Sequence, residues 1–219
     1  TGIYNTIMGA LAGDSLTTGG RNVAIGYRAL QAEDAHGYTV ALGYKALQTQ
    51  NAGANAYNVA IGYDVGQAVT TGVENTLIGG SAGYALTTGH YNIAIGTRAL
   101  STEDAHGFNV AIGRDALKVQ NAGTNAYNTA IGYQAGLAVS TGVQNTIIGG
   151  TAGDALTTGG YNVAIGYRAL SSENTGTNNV AIGYYSLESL DYSGNGYNVG
   201  VGSNTGSLLT DGIQNTLIG

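Results

Sequence analysis

The sequence contains no cysteine, no proline and no tryptophan. Without cysteine there can be no disulfide and no thiolate metal site, although exported repeat proteins also do without them, so the redox compartment stays open. Charged side chains make up only 9% of the 219 residues, and the seven Lys and Arg are scattered singly in a chain of net charge −6. That leaves no basic footprint for nucleic acid or for an anionic membrane surface. Also missing is any apolar run near the roughly 20 residues that a membrane-spanning helix needs. The opening Thr1-Gly2-Ile3-Tyr4 has neither an initiator Met nor a charged n-region, which predicts a segment of a longer chain.

What is abundant is glycine, at 38 residues, together with small and β-branched side chains in a sequence that is 43% apolar. This is the opposite of a disordered composition and points to a repeat architecture. Self-similarity locates one unit thirteen times, starting at Asn5, Asn22, Thr39, Asn58, Asn75, Asn92, Asn109, Asn128, Asn145, Asn162, Asn179, Asn198 and Asn215. The spacings run 17, 17, 19, 17 and then repeat. Residues 1–219 therefore read as a single array with superunits 5–74, 75–144 and 145–214 and a partial unit 215–219.

With the Asn as position one, the commonest core is Asn-Val-Ala-Ile-Gly. Position five is always Gly: Gly9, Gly26, Gly43, Gly62, Gly79, Gly96, Gly113, Gly132, Gly149, Gly166, Gly183, Gly202 and Gly219. Val, Ile or Thr at position two and an aliphatic at position four alternate with Ala at position three, the period of a β-strand, with the bulkier face expected inward. Gly then bends or ends the strand. A second pair at positions eight and nine, such as Ala29-Leu30 and Ala169-Leu170, suggests a second strand, followed by polar turns such as Thr17-Thr18-Gly19. Helix is excluded by Gly every few residues at up to about 1 kcal/mol each.

So short a unit cannot bury its own apolar face, and its copies must stack as rungs roughly 4.8 Å apart. The expected fold is all-β, a parallel β-roll or β-solenoid of thirteen rungs. The position-one residues Asn5, Asn22, Asn58, Asn75, Asn92, Asn109, Asn128, Asn145, Asn162, Asn179, Asn198 and Asn215 should form a column in which each amide donates to the next. In most units position three is Ala and position six is large, often Tyr. Every fourth unit instead has Ile7, Leu77 or Ile147 at position three with Ala10, Gly80 or Gly150 at position six. This predicts that positions three and six share one space, within a rung or between chains, and that Gly80→Tyr with Leu77 retained lowers the melting temperature.

One strong strand, one weak Ala-Leu pair and a polar remainder would fill a closed single-chain solenoid poorly, which favours an oligomer, most simply a homotrimer. The segment Asn22-Val-Ala-Ile-Gly-Tyr-Arg-Ala resembles the head repeats of trimeric autotransporter adhesins. Asn128-Thr-Ala-Ile-Gly-Tyr-Gln-Ala and Asn162-Val-Ala-Ile-Gly-Tyr-Arg-Ala-Leu resemble repeats of phage tail-fibre proteins. The resemblance spans the chain; its period departs from the shorter adhesin repeat. It implies a trimeric extracellular attachment fibre on a virion or a bacterial surface, whose glycan or protein receptor is met by other parts of the fibre.

Chemistry is sparse. Glu33-Asp34-Ala35-His36 and Glu103-Asp104-Ala105-His106 could in principle hold a cation or move protons. The third copy, Ser172-Glu173-Asn174-Thr175, lacks the Asp and the His, so the favoured reading is a solvated turn. Gly79-Gly80-Ser81-Ala82-Gly83 lacks the helix and Lys of a phosphate cradle. Asp14, Asp64 and Asp154 are too isolated for the Ca²⁺-binding nonapeptide of other β-rolls. Thr pairs such as Thr87-Thr88 recur too irregularly for an ice-binding row. Tyr4, Tyr57, Tyr91, Tyr127, Tyr161 and Tyr197, just before the strands, read first as core or inter-chain packing and second as sugar contacts. We therefore expect no catalytic residue, no metal, no cofactor and no enzyme activity, with the Asn and Gly columns as structural positions.

Overall fold

A computed structural model describes residues 2–219; Thr1, the first residue of the 1–219 array, lies outside them. The chain forms two compact units, Thr1–Phe108 and Asn109–Gly219. The first carries β1 (Thr6–Met8), β2 (Val23–Ile25), β3 (Val40–Leu42), β4 (Val59–Ile61), β5 (Thr76–Ile78) and β6 (Ile93–Ile95). The second carries β7 (Val110–Ile112), β8 (Thr129–Ile131), β9 (Thr146–Ile148), β10 (Val163–Ile165), β11 (Val180–Ile182), β12 (Val199–Val201) and β13 (Thr216–Ile218). Within each unit consecutive strands pair parallel and in register, as in Val163↔Val180 and Ala164↔Ala181. The protein is all-β, a β-solenoid with one three-residue strand per repeat and no helix among the described residues.

Each strand ends at its glycine for two reasons that act together. Gly62 has φ +146, and a Cβ there would lie 2.7 Å from the carbonyl oxygen of Gly79 on the next rung. A side chain would meet strain and a neighbouring backbone at once.

The facing of the strands reverses the expectation. Ala24, Ala60, Ala111 and Ala164 at position three are fully buried, whereas Val23, Ile25, Val163 and Ile165 on either side are only half-buried. The bulky residues face out because the interior is already filled from the opposite side by Leu30, Leu47, Leu100, Leu117, Leu170 and Leu187 at position nine. Opposite those leucines only a methyl group fits.

No second strand forms. Positions six to nine are consecutive turns, and Ala29 and Leu30 are both fully buried, which neighbours on a half-buried strand cannot be. The chain coils here through left-handed residues, Arg28 at φ 57 and Leu30 at φ 51. Such a conformation costs a non-glycine residue about 1–2 kcal/mol. Complete burial of a leucine returns about 1.5–3 kcal/mol, and the turns stay in register through Arg28 N–H to Ala10 O at 3.0 Å and Leu30 N–H to Ala46 O at 3.0 Å.

Volume is exchanged between positions three and nine, not three and six. Leu77 occupies the space left by two glycines, since a Cβ on Gly66 would lie 2.7 Å from Leu77 Cδ1 and one on Gly83 would lie 2.8 Å from its Cδ2. Ile147 fills the corresponding space beside Gly136 and Gly153. Gly80, by contrast, has nothing within 4 Å of an added Cβ and no left-handed φ. Its replacement by Tyr beside Leu77 should therefore leave the melting temperature unchanged.

The asparagine column is buried and mixed in character. Asn145 Oδ1 accepts from Asn162 N–H at 3.0 Å, and Asn145 Nδ2 donates to Gly159 O at 2.9 Å, fourteen residues on in the same turn of the coil. The pattern recurs from Asn5 onward, for example at Asn22, Asn58, Asn75, Asn128 and Asn162. Most amides thus join backbone to backbone. Amide-to-amide donation occurs at Asn198 to Asn179 and at Asn215 to Asn198. A side-chain carbonyl and a side-chain N–H are the two groups needed to satisfy a backbone donor and a backbone acceptor left over where strand meets turn. Beside Thr39, which has no amide, Gln50 Oε1 accepts from Asn58 Nδ2 at 2.8 Å and its Nε2 donates to Thr39 Oγ1 at 3.1 Å; Gln120 Oε1 likewise accepts from Asn128 Nδ2 at 2.8 Å on the rung that carries Asn109.

Candidate functional site

Positions zero, two, four and six carry exposed or half-exposed apolar side chains on the outer side of each unit. On the rung of β10 these are Tyr161, Val163, Ile165 and Tyr167, and the two tyrosines are 55% and 47% exposed. The same side carries Tyr57, Val59, Ile61 and Tyr63 on the rung of β4. A half-exposed aliphatic strip accompanied by exposed aromatic rows and repeated rung after rung is the kind of apolar surface that marks an interaction site.

The aromatic rows are ordered along the stack. At position six, Tyr27 stacks on Tyr44 with ring centroids 5.4 Å apart, and Tyr44 stacks on Tyr63 at 5.1 Å. At position zero, Tyr38 stacks on Tyr57 and Tyr91 on Phe108, both at 5.0 Å. The Arg21 guanidinium lies between Tyr4 and Tyr38, 5.5 and 5.2 Å from their ring centres. The position-zero tyrosines do not enter the core of their own chain. Their left-handed φ, 51° at Tyr57 and 60° at Tyr161, turns them outward immediately before the buried Asn.

The Glu/Asp/His turns are not simply solvated. Glu33, Glu103 and Glu173 are buried, and each accepts a backbone N–H three residues ahead: His36 at 3.1 Å, His106 at 3.2 Å and Gly176 at 2.7 Å. Each carboxylate therefore closes its own turn. Glu33 also accepts from Gln50 Nε2 at 3.2 Å, and Glu173 from the N–H groups of Asn174 and Tyr192. Burial pushes the carboxyls of Glu103 and Glu173 above the usual range, and the N–H donors offset only part of that rise. What the three copies share is the Glu, a signal present in the sequence as the one acidic residue the third copy keeps.

One ligand atom each from Glu33, Asp34 and His36 falls within a 4.8 Å group, as it does for Glu103, Asp104 and His106. The donor set would suit a borderline divalent cation. Glu33 already spends both oxygens on N–H donors, however, and His36 Nδ1 lies 3.4 Å from the same Oε1 that the backbone uses. The Glu carboxylate closes each turn, while His36 Nδ1 in the first copy and Glu103 Oε2 and His106 Nδ1 in the second are out of solvent without a hydrogen-bond partner.

No protein-family model, curated protein or solved structure matches this chain. Function is therefore argued from the surface itself. No helix among the described residues is long and apolar enough to cross a membrane.

Proposed function

We propose that this chain is a structural segment of an extracellular attachment fibre, the shaft of a phage tail fibre that holds receptor-binding tips away from the particle. The observation that carries this reading is the outward Val/Ile strip with its flanking tyrosines, as seen at Val163, Ile165, Tyr161 and Tyr167. Copies of the same chain are the occupant argued for. The strip repeats with the rung, so only a partner with the same period can cover it along its length, and a parallel second copy has that period by construction. Closed cyclic symmetry about the stacking direction would leave no copy's strip uncovered, and the resemblance of the repeats sets the number of copies at three, a homotrimer.

In-register backbone hydrogen bonds, reinforced by side-chain amides on most rungs of each unit, suit a spacer that must resist unfolding outside the cell. The reading assigns no catalytic step, no cofactor, no nucleic acid and no membrane insertion to the chain. A second reading, the head of a trimeric bacterial surface adhesin, is favoured by the exposed aromatic rows, which could make weak repeated contacts that add by multivalency.

Immunogold electron microscopy with an antibody raised against this chain separates them. Label along fibres of virus particles supports the first reading, and label on intact bacterial cell surfaces supports the second. Label confined to the cell interior would overturn both.

A further inference from the structure

The three Glu-bearing turns differ in how fully the carboxylate is used. In the third copy Glu173 Oε1 accepts from the N–H groups of Asn174 and Gly176, and Oε2 accepts from that of Tyr192. In the first copy Glu33 Oε1 accepts from His36 N–H and Oε2 from Gln50 Nε2. In the second copy Glu103 Oε1 accepts from His106 N–H at 3.2 Å, but Oε2 is out of solvent and has no partner. Glu103 is completely buried, and a buried carboxylate oxygen left in this state is costly.

A second orphan faces the same carboxylate. His106 Nδ1 is shielded from solvent and lies 3.4 Å from Glu103 Oε1, yet no hydrogen bond joins them. Two ligand atoms of one tetrahedral ion, with bonds of about 2.0–2.1 Å, lie about 3.3–3.4 Å apart. Asp104 completes the group: one ligand atom from each of the three residues falls within 4.8 Å of the others, and the Asp104 side chain is exposed and able to swing inward. The backbone that carries these side chains is pinned. Thr87 Oγ1 donates to Asp104 O at 2.7 Å, and Asn92 Nδ2 donates to His106 O at 3.1 Å.

We propose that Glu103, Asp104 and His106 bind one borderline divalent cation of the Zn²⁺ class. Two carboxylates and an imidazole supply three protein ligands, and water takes the fourth position. Glu103 keeps Oε1 on the His106 N–H and offers Oε2 to the ion, so the bond that closes the turn survives. A proton shared between His106 Nδ1 and Oε1 would still leave Oε2 without a partner. Ca²⁺ suits the group poorly, because it takes roughly six to eight oxygen ligands and the turn offers a nitrogen among three. The missing Asp and His of the third copy argue only against a site common to all three turns, since Glu173 is satisfied by N–H donors and needs no ion. None of the three ligands belongs to the outward strip. The cation goes beyond the fibre reading, and its site is built wholly from one chain.

Isothermal titration of the chelator-stripped full chain with ZnCl₂ tests it, with CaCl₂ as the hard-ion control. One Zn²⁺ per chain is expected, and Ca²⁺ should bind far more weakly. His106→Ala and Asp104→Asn leave the buried Glu103 in place. Each should weaken Zn²⁺ binding by about tenfold or more, at least the loss that follows removal of an outer-shell partner, with circular dichroism unchanged. Asp104→Asn, at an exposed position, decides the matter where His106→Ala unfolds. His36→Ala should leave binding unchanged, because both oxygens of Glu33 already have donors. No Zn²⁺ binding, two equivalent ions per chain, tighter binding of Ca²⁺ than of Zn²⁺, or an affinity that survives either substitution in a folded chain would overturn the proposal. Molecular mass, measured separately, reports on the fibre reading whatever the titration shows.

Discussion

Leu77 lies where a side chain on Gly83 would have to go, 2.8 Å from the position of its Cβ. Other rungs carry Leu at position nine with the same left-handed φ, such as Leu100 at φ 50. The conformation at Gly83 therefore accepts a leucine and only the volume forbids it. Gly83→Leu should cost about 1–3 kcal/mol by overpacking. Adding Leu77→Ala should recover much of the loss, because the two side chains compete for one space. Chemical denaturation of the two single variants and the double variant measures the coupling; strictly additive losses would contradict it.

Much of this fold is legible in the sequence. The period, the parallel in-register stacking and the strand at positions two to four follow from the repeat of Asn-Val-Ala-Ile-Gly, because a short strand can satisfy its hydrogen bonds only on its own copies. The facing of the strand is not legible from that core alone. Alternation of Val, Ala and Ile marks two faces without saying which is inside, and the answer depends on Leu30 and Leu170 entering from a turn. That turn reads as a strand in the sequence because left-handed Arg28 and Leu30 are not marked by glycine. The turn-closing role of Glu33 and Glu173 was hidden for a similar reason, since their partners are backbone N–H groups that leave no trace in side-chain identity.

Asn145 accepts from one backbone N–H and donates to one backbone carbonyl, both buried. Asn145→Ala would leave both unsatisfied, at about 1–3 kcal/mol for each group. Asn145→Asp keeps the acceptor but places an unpaired charge opposite Gly159 O and should be at least as damaging near neutral pH. Thermal unfolding of the two variants checks the order.

Acid should stabilise this protein at first. The carboxyls of Glu103 and Glu173 are pushed above their ordinary value of 4.5 by burial, and burial likewise raises that of Asp154. For a group whose folded pKa is raised, the contribution to stability is fully present below the unfolded value and is lost as pH rises through the folded value. The melting temperature should therefore fall between about pH 4.5 and neutrality, and Glu173→Gln should flatten part of that fall. A melting temperature that rises steadily over this range would contradict the assignment.

Ile165 and Val163 face outward on β10, half-buried within their own chain. If copies cover this strip, Ile165→Lys should weaken assembly without unfolding the solenoid, because the buried Ala164 and the Asn162 ladder bonds do not depend on it. Circular dichroism should be retained while the apparent mass falls. Loss of both together would instead make the outward face part of the folding core.

The most direct measurement is the mass of the purified wild-type chain by light scattering at micromolar concentration. The account predicts three times the 22.0 kDa of the single chain. A mass of 22.0 kDa would show that the Val/Ile strip stays exposed in solution, and the self-associating fibre would be contradicted.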